Sequence, residues 1–539
     1  MGSEMCIRDR NTPILRATKG KKVKLFYNDK DYKKWVESGD EHKSYKIKYL
    51  KGLGSSTSSE AKEYFKNVHS DIVKYVNDIN APESMSLAFD KKRSNDRKNW
   101  LMEYKDDEVI STTLRRVELS DFVNKELIHF SSSDMKRSIP SVVDGFKTTQ
   151  RKVLCGAIQK GIINTEAKVA QLSGFIGDKM SYHHGEMALN STIICMAQDF
   201  VGTNNIEILL PKGQLGSRLD GGKDSASPRY VFVQMNPVTL KVFNSVDNAV
   251  LKHLVEDGSQ IEPQFYCPII PMILVNGCHG IGTGFSSSIP QYNPADLIKN
   301  TRRRLLGKEP KDLIPWYRGF KGDIRKTPDG NFTSHGVYTI KDNTVNITEL
   351  PIGKWSNIYK HFLSDLLDKK KIMGFTERCT DTIVDFEVHL FKEEDIELLN
   401  LSSHLKVSNM HLFDSENRIK KYKTTKDIEQ DHFNVRLDLY KKRKEFQLMS
   451  MRHEHKTLSE KLRFFRYKIN GKILMENKSY DDVINNLVEN RFKKLGKEYD
   501  SVDVSFGYLT DIKLFDVTKE KMEKLKRDTY NLGEKIEKL

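Results

Sequence analysis

Few residues in this chain have the type and spacing to do chemistry. The most distinctive stretch is Leu209 to Tyr230, Leu-Leu-Pro-Lys-Gly-Gln-Leu-Gly-Ser-Arg-Leu-Asp-Gly-Gly-Lys-Asp-Ser-Ala-Ser-Pro-Arg-Tyr. Five glycines or prolines stand in it before Ser227, so it is no continuous helix. It has too few apolar residues for a core strand. It ends in Arg229-Tyr230, ahead of the strand-like Val231-Phe232-Val233. That layout sets one phenol at the edge of a glycine-rich loop, beside a guanidinium. An ordinary tyrosine is partly buried with its hydroxyl satisfied. A nucleophilic one needs cationic neighbours, because a phenol titrates near 10; Arg229 is such a neighbour.

Three other stretches invite the same question. Ser181-Tyr182-His183-His184-Gly185-Glu186 offers two imidazoles and a carboxylate. Adjacent histidines diverge, and no third ligand stands at a helical spacing, so a metal site is not indicated. Asn276-Gly277-Cys278-His279-Gly280-Ile281-Gly282-Thr283-Gly284 is glycine-rich but does not match Gly-x-Gly-x-x-Gly. With Ser286 to Pro290 read as a further turn, it is expected to be a tight structural turn rather than a nucleotide loop. Lys51-Gly52-Leu53-Gly54 follows a strand and precedes a hydroxyl-capped helix starting near Ser58 or Ser59. That is a generic anion site or an ordinary loop.

The elements that must position these residues follow from length and pattern. At 539 residues, three or four domains are expected. The chain is 38% hydrophobic and 30% charged, which argues for globular folding over general disorder. No apolar run reaches membrane-helix length; the longest, Pro268 to Val275, contains two prolines and reads as a buried strand or turn. The net charge of +15 suggests a polyanionic partner or a merely basic surface. Six scattered cysteines with no Cys-x-x-Cys pair read as free thiols. Met1 to Arg10 lacks the apolar core of a signal peptide and reads as a non-native or assembly scar.

Along the chain, Lys24–Tyr27 and Tyr45–Leu50 read as strands and Asp29–Glu37 as a helix. Residues 105–120 read as a polar linker. Asp121 is expected to cap a helix over Phe122–Leu127, and Gln150–Leu154 to start another. Further on, Gly336–Ile340 and Val345–Thr348 read as strands and Trp355–Leu367 as a helix. Phe433, Leu437, Tyr440, Lys444, Gln447, Met451, His455, Leu458, Leu462, Phe465 and Ile469 follow steps of four and three, a heptad-like seam with a polar gap in the middle; Met522 to Leu539 repeats it. The two segments suggest an antiparallel arm around a globular insert, or two amphipathic helices on a core.

The order of these motifs, His183-His184, the Leu209–Tyr230 loop, Tyr230 and Ile281, resembles type IIA DNA topoisomerases, above all the eukaryotic and large-DNA-virus type II enzymes. The resemblance covers about residues 11–539. It implies an α/β and α+β multidomain architecture: the C-terminal part of a Toprim domain (11–104), the linker (105–120), a winged-helix domain carrying the active-site tyrosine (121–270), a tower domain (271–425), and an antiparallel coiled-coil arm with a C-terminal gate (426–539). Thr348–Gly353 matches a recurrent tower turn, and Phe506–Leu509 part of the gate. The pattern departs at Thr148-Thr149, where Pro-Gly is usual; both are expected in a turn.

By the same resemblance, Tyr230 becomes joined to a DNA 5′ phosphate, with Arg229 stabilising charge there. Arg137, Lys147, Arg151, His183, His184 and Lys51 lie along the DNA, and Ile281 wedges between base pairs and bends the duplex. The whole enzyme would use Mg²⁺ and ATP, but neither set of ligands is expected in this chain. Asp29-Lys30-Asp31 has only the bare Asp-x-Asp spacing, with Lys34 where a glycine belongs. The implied partners are double-stranded DNA and a second copy of the chain, with no membrane. The address would be the nucleus for a cellular source, or the host cell or virus factory for a viral one. The function implied is the breakage-reunion core of a type II topoisomerase. The alternative is a non-catalytic DNA-binding and bending fragment; a metal nuclease has no paired carboxylates beside Tyr230 to support it.

Overall fold

The computed structural model describes residues 8–10, 12–50, 57–66, 72–105, 107–111, 114–256, 259–473, 478–501, 503–512 and 518–539. They form two compact units, Met1–Phe243 with Lys252–Phe433, and Asn244–Leu251 with Asn434–Leu539.

The first unit opens with an antiparallel sheet in the order Lys22–Phe26, Leu15–Lys19, Lys46–Tyr49. Alternation along the central strand buries Leu15 and Ala17 with Phe26 and Tyr45, and Tyr32 and Trp35 close the cluster. The Asp29–Glu37 helix starts as expected. Its cap is Asn28, which accepts from the Asp31 N–H and donates to the Asp31 carboxylate. Asp31 is thus engaged in capping. The Ser58–Lys66 helix also starts where its hydroxyls indicated. Thr57 Oγ1 accepts from the Glu60 N–H while the Glu60 carboxylate accepts from the Thr57 N–H, a reciprocal cap. Lys48 and the Thr57 amide hold the Glu60 carboxyl down at about 2. Lys51 and its Lys-Gly-Leu-Gly turn lie outside the described residues.

Two stretches depart from expectation at the next sheet. Arg116–Glu118, inside the expected linker, pairs parallel with Ile72–Val76. Arg8–Arg10, inside the expected scar, pairs antiparallel with the same strand. An open strand edge templates extended backbone whatever its side chains.

The helix expected from Asp121 begins earlier, at Leu119, passes through a π-helical turn at Val123–Leu127 and continues as Ile128–Ser138. Asp121 therefore sits inside the first turn, paired with Lys125, where its charge suits the helix dipole. Helices Thr148–Lys160, Val169–Lys179 and Glu186–Ala197 follow. They pack through Val153, Leu154, Leu172, Ile176, Leu189 and Ile193, all essentially inaccessible to solvent. Thr148 and Thr149 are the first residues of a helix rather than a turn; amides there need no intrahelical acceptor. A sheet in the order Ala167–Lys168, Phe232–Met235, Leu209–Lys212 flanks these helices in sequence.

Pro268–Val275 resolves into a turn and the short buried helix Met272–Asn276. The two turns expected after it are instead the strands of one hairpin, Cys278–Gly282 against Phe285–Ile289. Beyond it, Val337–Lys341, Thr344–Glu349, Phe386–His389 and Gly374–Glu377 form an antiparallel sheet. Val345, Ile347, Phe386 and Val388 from this sheet share a core with Tyr359 and Leu363 of the Ser356–Asp368 helix.

In the second unit, the part of the long Thr425–Ile469 helix from Asn434 onward and the Lys519–Lys538 helix run antiparallel. Met522 and Leu525 pack on the cluster around Phe464 and Phe465, whereas Gly533 lies beside His455. The insert between them supplies Val483, Leu487, Phe492, Phe506 and Leu509 to that cluster. The first half of the heptad seam is rotated from expectation. Arg436 and Leu439 are buried while Leu437 and Tyr440 are exposed, because Asp247 of the Asn244–Leu251 segment binds Arg436 and Arg443 at 2.5 and 3.1 Å. Both guanidiniums stack on the Tyr440 ring.

Candidate functional site

The glycine-rich loop folds back on itself and around one amide. Gln198, at the end of the Glu186–Ala197 helix, donates to the carbonyls of Leu215 and Gly222. Ser217 donates to Asp224 through both its N–H and its hydroxyl. The Ala226 N–H donates to the Gln214 carbonyl.

Tyr230 is set between two pinned carbonyls. The first amides of the Val169–Lys179 helix, from Val169 and Ala170, donate to the carbonyls of Val231 and Pro228 at 3.0 and 3.1 Å. These are the amides a helix leaves free at its start. The backbone is held on both sides, and the phenol projects outward, 73% exposed. The Arg229 guanidinium, also exposed, lies 6.0 Å from the Tyr230 ring centre. Arg229 and the preceding loop wall a cavity of about 640 Å³ whose other side is Glu186, Met187, Asn190, Ser191 and Cys195 of the neighbouring helix. Cys195 also borders a second, smaller cavity lined by Lys147, Gln150 and His279. The loop, the helix and the Lys147 turn are thus contiguous.

Arg137, exposed at the end of the Ile128–Ser138 helix, lies near the histidine pair. Burial, then the positive charges of Arg137, His183 and Lys152, hold His184 below the usual histidine range. The His184 ring stands edge-on to Tyr182, 5.4 Å between centres. His183 pairs instead with Glu256 at 2.5 Å. Lys147 reaches the His279 carbonyl at 3.3 Å, so it grips the backbone of the hairpin that carries Ile281.

Arg151 stands apart from the exposed cations. It is 8% exposed, and its guanidinium forks onto Asp144 at 2.7 and 3.1 Å and onto the Phe146 carbonyl. Asp144 also accepts from the amides of Phe146 and Tyr266. The resemblance puts Arg151 along the DNA; in the structure its guanidinium is buried and paired with Asp144. Lys152 likewise is buried, bonded to Glu262 and the Met180 carbonyl. Asp144 and Glu262 carried no sequence signal, since isolated acids look like surface acids until their partners are known.

Ile281 is the next-to-last residue of its strand, opposite Ser286, and is 73% exposed. The hairpin packs so closely on the Ile128–Ser138 helix that a Cβ on Gly280 would stand 2.2 Å from the Ser138 carbonyl oxygen. Only glycine fits there. Among the described residues, no three His, Cys, Asp or Glu side chains converge as a metal site would require. Among them, no helix is long and apolar enough to cross a membrane.

Comparison with known proteins identifies the family. Residues 137–539 match the DNA gyrase/topoisomerase IV family, and residues 10–135 match the C-terminal associated domain of TOPRIM. The chain is 41% identical over 535 residues to DNA topoisomerase 2, mitochondrial, of Dictyostelium discoideum, covering 95% of this chain and 41% of that protein. It is 43% identical over 520 residues to DNA topoisomerase 2 of Arabidopsis thaliana, covering 93% of this chain and 35% of that protein. The crystal structure of the Plasmodium falciparum topoisomerase II DNA-binding, cleavage and re-ligation domain superposes with a TM-score of 0.84 at 36% identity, covering 98% of this chain and 76% of that one. The chain belongs to the type IIA DNA topoisomerase family, in the line of the eukaryotic type II enzymes.

Proposed function

We propose that this chain is the breakage-reunion part of a type II DNA topoisomerase, with Tyr230 as nucleophile. The observation that carries the reading is the exposed Tyr230 phenol, held between two pinned carbonyls beside Arg229. The phenol oxygen attacks a backbone phosphorus in line. A new phosphorus–oxygen bond forms to Tyr230, the bond to the 3′ oxygen breaks, and that oxygen leaves as a 3′ hydroxyl while the phenol loses its proton. The number of phosphodiester-type bonds is unchanged, so resealing by the reverse step needs no ATP. Arg229 would stabilise the extra negative charge of the crowded transition state, with Arg137 and Lys147 on the same phosphates. His183 and His184 would contact the adjoining backbone.

In this reading, the 121–270 region acts as a winged helix, 271–425 as the tower, and the antiparallel helices of 426–539 as an arm leading to a dimer gate. Two copies are required because two tyrosines must cut two strands. Mg²⁺ and ATP are proposed for the whole enzyme. This chain spans 41% of the Dictyostelium relative, and strand passage and a nuclear address for a cellular source are likewise proposed of the whole protein. The exposed Ile281 supports a narrower reading for this part alone, DNA binding and bending without cutting. Denaturing gels of protein-linked DNA decide between them. The whole protein should yield an adduct through a 5′ phosphate that disappears in Tyr230→Phe; no adduct from the unmutated protein would leave only the bending reading.

A further inference from the structure

We infer that Trp355 and Asn357, at the start of the Ser356–Asp368 helix, are positioning residues for Tyr230. The inference rests on the reading of Tyr230 as nucleophile. A loop as rich in glycine as Gly213–Gly222 loses much conformational entropy on being fixed, so something must hold it. Gln198 holds one side. The other side is held by the beginning of a helix that is more than 130 residues further along the chain.

That helix start has no side-chain cap of its own. Its first free amides are satisfied by the loop: the Asn357 N–H donates to the Leu219 carbonyl at 2.9 Å and the Ser356 N–H to the Arg218 carbonyl at 3.4 Å. The Asn357 side chain donates to the Asp220 carboxylate at 2.9 Å. Trp355 fills the space beside Gly221, where a Cβ would stand 2.4 Å from the indole, and it meets Phe200 edge-on. Gly221 has φ +63°, so the loop takes a left-handed turn at the point where the indole presses on it. One strand earlier, Glu349 lies on the inward row of Thr344–Glu349, where alternation buries it, and binds the buried Arg218.

Arg218 to Gly221 is therefore held by the sheet and helix that follow it in sequence, not only by the helices that precede it. From there the Ser217–Asp224 and Gln214–Ala226 bonds carry the fixed geometry to Pro228, whose carbonyl is one of the two pins around Tyr230. None of the described contacts of Trp355 or Asn357 is with Tyr230 itself. Their contribution is to the placement of the attacking oxygen, and misplacement by about 1 Å is enough to cost on the order of 10²-fold in rate.

The test uses the whole protein and two readouts, adduct rate and amide exchange, with DNA affinity as the control. Asn357→Asp sets a second carboxylate against Asp220. It should slow adduct formation at saturating DNA by about 10- to 100-fold, leave DNA affinity within about twofold, and speed amide exchange across residues 215–224. The double variant Asp220→Asn with Asn357→Asp restores a donor and an acceptor in reversed order, and both readouts should recover. Trp355→Ala should reproduce the single variant. An Asn357→Asp protein with unaltered rate and exchange overturns the inference. So does a double variant as slow as the single one, since that pattern reports general damage. An adduct persisting in Tyr230→Phe counts against the reading of Tyr230 instead; amide exchange reports the hold on the loop without any chemistry.

Discussion

Asp134 and Thr283 are joined twice. The Asp134 carboxylate accepts from both the backbone N–H and the hydroxyl of Thr283, each at 2.9 Å. Thr283 and Gly284 form the two-residue tip of the hairpin, so this pair anchors the tip to the Ile128–Ser138 helix. Lys147 anchors the opposite end of the same strand through the His279 carbonyl. A wedge bends DNA only if its base is stiffer than the base step it opens.

The first prediction follows from that anchor. Ile281→Ala should reduce the DNA bend measured by energy transfer between duplex ends, and Asp134→Ala should do so through the tip. Affinity should fall by no more than about threefold in each, because phosphate contacts dominate it. A full bend with alanine at 281 would reject the wedge.

The buried Asp144–Arg151 pair gives the second prediction. Asp144→Ala leaves a guanidinium without its partner at a site 8% exposed. Breaking such a pair costs about 3–5 kcal/mol, far more than the loss of a surface contact. The first unit's thermal transition should drop accordingly. If Arg151 served mainly to touch phosphate, Asp144→Ala would instead change DNA affinity with little loss of stability.

The third prediction concerns pH. His184 sits below its ordinary value of 6.5, through burial first and then Arg137, His183 and Lys152. A base depressed in the folded state is protonated first in the unfolded chain, so stability is lost as pH falls through 6.5 and levels off below the folded value. His184→Gln should remove that part of the acid destabilisation, measured as melting temperature from pH 7.5 to 5. A DNA phosphate against His184 would favour the imidazolium, so binding should also gain more on mild acidification in the unmutated chain than in His184→Gln. Identical pH profiles for the two proteins would refute both statements.

Much of this was legible in the sequence because local signals agreed with the fold. Asn28, Thr57 and Glu60 start helices where capping rules place them. The stretch before Tyr230 could not be a continuous helix on composition alone, but its first four residues, Leu209–Lys212, form a strand against Phe232–Met235 that the shortage of apolar residues had hidden. The misreadings share one cause: the deciding partner is distant in sequence. Cys278–Gly282 looked like a turn because glycines are rare in strands, yet Ser138 lies where any Cβ would go. The heptad seam slipped because Asp247, far upstream, draws Arg436 inward. The burial of Arg151 was equally hidden, because Asp144 becomes its partner only once the turn between them is folded.

The arm supplies the fourth prediction. Leu458 and Leu462 are half-buried on the long helix, where the Lys519–Lys538 helix returns beside it. Leu458→Asp with Leu462→Asp should melt the second unit at a lower temperature and convert a sedimenting dimer into monomer. An unmutated protein that sediments as a monomer at micromolar concentration would count against the proposed gate.

The last prediction concerns the chemistry at Tyr230. Tyr230→Phe keeps the ring, its stacking beside Arg229 and the pinned carbonyls of Pro228 and Val231. Only the oxygen is lost, so DNA binding should survive and the covalent adduct should vanish. Arg229→Ala differs in kind. Its exposed guanidinium costs nothing to remove from the core, and its charge matters most when the phosphate becomes more negative in the transition state. One such donor is worth about 10²–10³ in rate, so adduct should form that much more slowly at saturating DNA, with affinity little changed. His184→Ala should slow the step less, since a neutral imidazole gives one hydrogen bond and no full charge. Single-turnover gels with the three variants give the order directly. If Arg229→Ala weakened binding and left the rate at saturation intact, Arg229 would be a phosphate anchor and the charge stabilisation would have to come from elsewhere.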